Sequence, residues 1–135
     1  MSFSLENRSG YDARDLRRFF ARGLRALGIR KHIEIVVVTA PARSRGCATV
    51  RGNRMVIAIA SPSNFRLRRL ARLLIHEGHH LLGQEHADMD ERTLYSLGPV
   101  PEWAKGLTFR YRGRAEDQMG RLESRRFPRP ILKNW

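Results

Sequence analysis

The sequence predicts an α+β fold in which a twisted, mixed β-sheet packs on two helices. Segments of strand composition and segments of helical periodicity alternate in the order β-α-β-β-β-α over residues 1–83. A further helical pattern near the C-terminus predicts a short C-terminal part with one helix. The length of 135 residues fits one domain with its own core. We therefore expect a single domain over 1–135, with the sheet and two helices in 1–83 and a small C-terminal part in 84–135.

The first strand and the first helix are predicted from local signals. Phe3 and Leu5 alternate with polar residues, which indicates a short strand. Asp12 can cap a helix that runs to about Leu27, and Gly28 can end it.

Three more strands are predicted before the second helix. The apolar, β-branched run Ile33–Thr39 is typical of a buried strand. Two shorter strands follow at Cys47–Arg51 and Arg54–Ala60. Gly52 and Asn53 lie between them and are typical of a two-residue hairpin turn.

The second helix is predicted over Phe65–Leu82. Ser63 or Asn64 can cap it, and Gly83 is well placed to end it. In the C-terminal part we expect one helix, Arg114–Arg126, and an irregular tail over 128–135.

The chain is strongly basic, with 26 Lys and Arg against 13 Asp and Glu and a net charge of +13. This charge indicates either attraction to nucleic acid or a solvated, arginine-rich surface, and both interpretations stay open. No apolar segment approaches the ~20 residues of a membrane helix, and the N-terminal residues have no apolar signal region. Cys47 is the single cysteine, which agrees with a reducing compartment. We expect a cytoplasmic protein without membrane contact.

Residues 76–86 read HEGHHLLGQEH and form the candidate metal site. On a helix, His76 and His80 are separated by one turn and only about 40° around the axis, so both imidazoles can reach one ion. The apolar residues of this helix fall on the opposite side, which leaves a metal face and a packing face: Leu67, Leu70, Leu74, Gly78 and Leu81.

The residues near this histidine pair can supply a third metal ligand and a carboxylate beside the ion. A left-handed Gly83 would end the helix and let His86 return as a third ligand. Three protein ligands leave one position open, as in catalytic zinc sites. Glu77 lies about 80° from the histidines on the wheel, close to the ion without being a ligand. Two acids near the motif, Glu85 and Asp88, can support a ligand histidine or belong to solvated loops.

At these positions the sequence resembles the metzincin clan of zinc metallopeptidases, whose motif is HExxHxxGxxH. The resemblance implies a zincin-like domain, one catalytic Zn²⁺ on His76, His80 and His86, and Glu77 as the general base for peptide-bond hydrolysis. Peptides or proteins would be the substrates.

The resemblance also implies roles for residues outside the motif. A strand beside the active-site helix would border the cleft and pair with extended substrate, and its residues would be Cys47, Ala48, Thr49 and Val50. Met89 is the candidate for the methionine turn beneath the metal. Tyr95 and Tyr111 are candidates for a tyrosine that stabilises the transition state.

Two other functions remain open. The chain also resembles the bacterial rRNA-maturation endoribonucleases, which bind zinc through HxxxHxxGxxH, and the +13 charge favours a phosphate-containing substrate. Glu77 is the point of difference, because that family does not use a glutamate there. The third alternative is a non-catalytic zinc-binding module.

Overall fold

A computed structural model of the protein describes residues 2–113. The helix predicted at Arg114–Arg126 and the tail at 128–135 lie outside the described residues. The elements of the described part are β1 Phe3–Asn7, α1 Ala13–Ala26, β2 Ile33–Thr39, β3 Gly46–Arg51, β4 Arg54–Ile59, α2 Leu67–Leu81 and α3 Glu91–Leu94. Two 3₁₀ turns, His86–Asp88 and Glu102–Ala104, flank α3. The predicted α+β class is confirmed.

The four described strands form one mixed sheet in the order β1-β2-β4-β3. β1 pairs parallel to β2 and β2 pairs parallel to β4, whereas β3 runs antiparallel to β4. Arg51 pairs with Arg54 across the predicted two-residue turn, in which Gly52 has a φ of 58°. This turn places β3 at the edge of the sheet.

The main core lies between one face of the sheet and the two long helices. Alternate residues of β2 and β4 point into it, as expected for a half-buried strand surface. The largest fully buried side chains belong to this core: Leu16, Phe19, Phe20, Leu24, Ile29, Ile33, Ile35, Met55, Ile57, Ile59, Leu74 and Leu81. The apolar face predicted for α2 is the face that packs here.

Two glycines let α1 and α2 approach closely. A Cβ on Gly23 of α1 would collide with Leu74 of α2. A Cβ on Gly78 of α2 would lie 2.5 Å from Cδ1 of Leu27. The glycine at 78 is therefore needed for contact with the end of α1.

The predicted start of α2 is wrong by two residues. Arg66 occupies the N-cap position and makes no side-chain cap hydrogen bond. Ser63 and Asn64 do not cap the helix, because the chain turns there and the N–H of Asn64 donates to the carbonyl of Ser61 at 2.9 Å. Phe65 instead packs near Tyr11, with ring centroids 5.7 Å apart.

The last described segment, 101–113, packs back on α1. Trp103 and Phe109 lie 5.3 and 5.6 Å from Phe19 between ring centroids. The N–H of Arg110 donates to the carboxylate of the buried Asp15 at 2.8 Å, and its guanidinium lies 3.4 Å from the same oxygen. This strap closes the core at the N-terminal end of α1.

No helix in the described range 2–113 combines the length and the apolar character that crossing a bilayer requires.

Candidate metal centre

Three histidines from α2 and the turn that follows it converge on one point. The ring centroids of His76 and His80 are 4.9 Å apart, and those of His86 lie 5.2 and 4.9 Å from them. One nitrogen of each ring lies within 4.8 Å of the others, close enough to hold a single metal ion. The one-turn spacing on α2 produces the first pair, as the helical wheel predicted.

Gly83 produces the return of the third histidine. It has a φ of 85°, and its N–H donates to the carbonyl of His80 at 2.9 Å. The N–H of Gln84 donates to the carbonyl of His79 at 2.9 Å, which completes a Schellman motif. No atom lies within 4 Å of a Cβ built at Gly83, so the glycine is required by the backbone conformation and not by lack of space.

Main-chain carbonyls orient the two ligand histidines of α2. Nδ1 of His76 lies 2.9 Å from the carbonyl oxygen of Thr93, and Nδ1 of His80 lies 2.9 Å from that of Gln84. A carbonyl oxygen only accepts, so each Nδ1 carries the proton and each neutral ring keeps its lone pair on Nε2. The rings are thus held in the tautomer that binds a metal through Nε2.

α3 brings the first of these carbonyls into place. Asp90 caps α3 and accepts the N–H of Thr93 at 2.7 Å, and Thr93 is buried. The sequence suggested Glu85 and Asp88 as supports for a ligand histidine. These acids instead bond within their own 3₁₀ turn, where the N–H of Glu85 donates to Asp88 at 2.9 Å.

His79 lies in the motif but outside the ligand group. Its Nδ1 is 2.6 Å from the side-chain oxygen of Gln84. The residue therefore helps to fix the turn after α2.

Glu77 is buried beside the three histidines. Its Oε1 lies 3.9 Å from Nε2 of His76. Its Oε2 is buried and has no hydrogen-bond partner among the described residues. Burial raises the pKa of Glu77 to about 8, so this carboxyl group holds a proton more tightly than an exposed glutamate does.

A cleft of about 1180 Å³ opens on this group. One wall is α2, with the three histidines and Glu77, and the opposite wall is the edge strand β3. The four residues expected to bind substrate all line it: Cys47, Ala48, Thr49 and Val50. Burial raises the pKa of the Cys47 thiol, and the nearby Glu77 raises it further, so this cysteine is a packed thiol and not a reactive thiolate.

The other predicted site residues divide between the cleft and the rest of the molecule. Tyr95 lines the cleft and is exposed. Met89 is half-buried directly after the His86 turn and is not among the residues that line the cleft. Tyr111 lies away from the cleft, against Tyr11 with ring centroids 4.8 Å apart.

Sequence reasoning missed one contributor to this site. Thr93 acts through its main chain, which leaves no signature in the residue type, although the cap pattern of Asp90 three residues earlier is a signal for a helix start. Arg69 lies seven residues before His76 on α2 and also lines the cleft.

The donor set fits a divalent ion of the zinc type. Three neutral imidazoles are a ligand set that zinc accepts, and Oε2 of Glu77 has no described partner and can accept a hydrogen bond beside them. Comparison of the chain with protein-family models, with curated protein sequences and with solved structures found no match.

Proposed function

We propose that this protein is a zinc-dependent peptidase with a zincin-like fold of the metzincin type. The observation that carries the proposal is the buried carboxyl group of Glu77, whose Oε1 lies 3.9 Å from Nε2 of His76 and whose Oε2 has no hydrogen-bond partner among the described residues. A metal-storage or structural site does not require a buried acid beside its ligands, whereas hydrolysis requires a base next to the metal.

The metal would be held by His76, His80 and His86. When bound, zinc supplies Lewis acidity toward a carbonyl oxygen and acidifies water. The carbonyls of Thr93 and Gln84 keep two of the three rings in the required tautomer before the ion arrives. The site is therefore preorganised for the ion.

The position of β3 at the edge of the sheet formed by the described strands supports the assignment of a peptide substrate. An extended peptide can add to an edge strand through main-chain hydrogen bonds, with side chains alternating toward and away from the cleft. Pairing with Cys47–Val50 would lay the peptide along α2, so that one of its bonds lies beside Glu77.

Glu77 then moves the protons of the reaction. Its carboxylate accepts a proton from the attacking water and gives it to the amine of the departing half of the substrate. Burial of the carboxylate excludes bulk water that would otherwise compete for this proton.

The test is the substitution Glu77→Gln, which keeps the volume and removes the base. We expect zinc content to stay at one ion per chain and the cleavage of a peptide library to fall by roughly 10²–10⁴-fold, the usual contribution of general base catalysis. Glu91→Gln makes the same change at an exposed glutamate and should leave cleavage unchanged. Undiminished cleavage by Glu77→Gln would refute the proposed mechanism.

A nuclease is the second candidate, and the distribution of arginine favours it. Five exposed arginines lie on one face of α1 and have no carboxylate partner among the described residues: Arg14, Arg17, Arg18, Arg22 and Arg25. Such a surface attracts phosphate. Chelator-sensitive degradation of RNA, without cleavage of any peptide, would favour this candidate. Absence of both activities in a chain that unfolds on zinc removal would favour a non-catalytic zinc module.

A further inference from the structure

Arg69 is a cation in the wall of the cleft without an anion to bind. It lines the same cleft as the three histidines and Glu77. Its side chain is half-buried, and its Nε is buried with no hydrogen-bond partner in the range 2–113. A buried guanidinium N–H without an acceptor is unfavourable, so a bound group that supplies one gains affinity.

The surroundings of Arg69 add positive charge. Burial lowers the pKa of Arg69, and the nearby Arg45 lowers it further. No described carboxylate forms an ion pair with either arginine. By contrast, Arg110 and Arg112 lie 3.4 and 3.3 Å from the carboxylate oxygens of Asp15 and Asp12.

The position of Arg69 on α2 relates it to the proposed reaction centre. Arg69 precedes His76 by seven residues, which is about two turns, roughly 10 Å along the axis and nearly the same face. An extended peptide covers about 3.3 Å per residue, so this distance corresponds to roughly three substrate residues.

The start of β3 lies at the same end of the cleft. Arg45 directly precedes this strand and lines a small cavity together with Arg69. A peptide paired along β3 would therefore reach Arg69 and Arg45 at one of its ends.

We propose that Arg69, assisted by Arg45, binds a carboxylate of the substrate about three residues from the bond that is cleaved. This inference rests on the proposed peptidase function. The carboxylate comes from an Asp or Glu side chain or from the C-terminus of the peptide, and both present the same planar pair of oxygens to the guanidinium fork.

Three matched peptide forms distinguish these sources. One carries Glu at the tested position and an amidated C-terminus, one carries Gln there and is amidated, and one ends at that position with a free carboxylate. Cleavage is measured with the zinc-loaded full chain, and binding is measured by fluorescence anisotropy on the Glu77→Gln protein, in which turnover is suppressed.

We expect a carboxylate-bearing peptide to be preferred by on the order of tenfold in kcat/KM and in Kd over its Gln partner. Arg69→Gln should abolish this preference, and Arg69→Lys should keep part of it. Arg68→Gln is the matched control, because it makes the same change one position away on an exposed side chain that does not line the cleft. Preference for the internal Glu identifies a side-chain subsite, and preference for the free terminus identifies a carboxypeptidase-like subsite.

The outcomes separate the two proposals. Cleavage with the same preference in wild type and Arg69→Gln overturns the inference and leaves the peptidase function standing. Arg69-dependent binding of carboxylate peptides without any cleavage supports the subsite and refutes the peptidase function. An equal loss on all three peptides assigns Arg69 a structural role and overturns the inference, as does an effect of Arg69→Gln on RNA alone.

Discussion

Removal of one ligand histidine at a time separates metal binding from folding. His86 is exposed and its side chain makes no hydrogen bond among the described residues. His86→Ala should therefore change the metal-free stability by less than about 0.5 kcal/mol. His76→Ala removes one of two donors to the carbonyl of the buried Thr93, which keeps the N–H of Ser96 at 3.2 Å, so the lost hydrogen bond costs about 0.5–1.5 kcal/mol.

The second quantity is the stabilisation of the folded chain by bound zinc. Zinc at a hundredfold excess over the wild-type Kd stabilises the folded chain by about 2.7 kcal/mol. If the loss of one ligand weakens binding a hundredfold, the same zinc concentration stabilises by only about 0.4 kcal/mol. At roughly 4 °C per kcal/mol for a chain of this size, wild type gains about 11 °C in Tm and each variant gains about 2 °C. His76→Ala also starts about 2–6 °C lower without metal.

Thermal unfolding followed by circular dichroism, with zinc and with chelator, measures both quantities. His32→Ala is the control, because this histidine is exposed and lies outside the group of three. A full zinc shift in His86→Ala would refute the three-histidine centre. Equal metal-free Tm values for His76→Ala and His86→Ala would refute the role assigned to the carbonyl of Thr93.

Three further substitutions test the supports of the site. Gly83→Ala should cost about 1–2 kcal/mol through its positive φ and should also weaken zinc binding, whereas Gly28→Ala, at a φ of 74° after α1, should show only the cost in thermal stability. Asp90→Ala removes the cap of α3 and should lower zinc affinity about tenfold in a zinc titration, while removal of the α1 cap in Asp12→Ala should not. Tyr111→Phe removes a hydroxyl that is buried without a described partner, so stability in denaturant should be unchanged or rise by up to about 1 kcal/mol, and a loss larger than that would contradict this account.

The regular elements could be predicted because their signals are local. β-branched runs mark β2 and β4, the pair Gly52-Asn53 marks the hairpin, and Asp12 caps α1 with an oxygen 2.8 Å from the N–H of Arg14. The start of α2 was predicted wrongly because Ser63 and Asn64, which are typical capping residues, belong to a turn before the helix. α3 is only four residues long, so its stability comes from the Asp90 cap and from packing on α2 and not from a periodic pattern.

The candidate site likewise has parts that the sequence predicts and parts that it does not. The histidines and Glu77 follow from helical geometry and from one left-handed glycine. The contact between His76 and Thr93 joins residues 17 positions apart through a main-chain atom, and no residue type encodes that. The position of Tyr111 could not be predicted from the sequence, because its packing on Tyr11 depends on the path of the strap over 101–113.

The open edge of β3 has a consequence for how copies of this chain behave in concentrated solution. A strand edge that can receive a peptide can also receive the same edge of another molecule, which is a common route to aggregation. Arg45 precedes this strand, Arg51 ends it, and Arg54 begins its hairpin partner, so two such edges would meet with like charges at both ends. The net charge of +13 acts in the same direction over longer distances. The arginines therefore disfavour pairing of this edge with other copies of the chain, and this protection weakens as salt screens the charges.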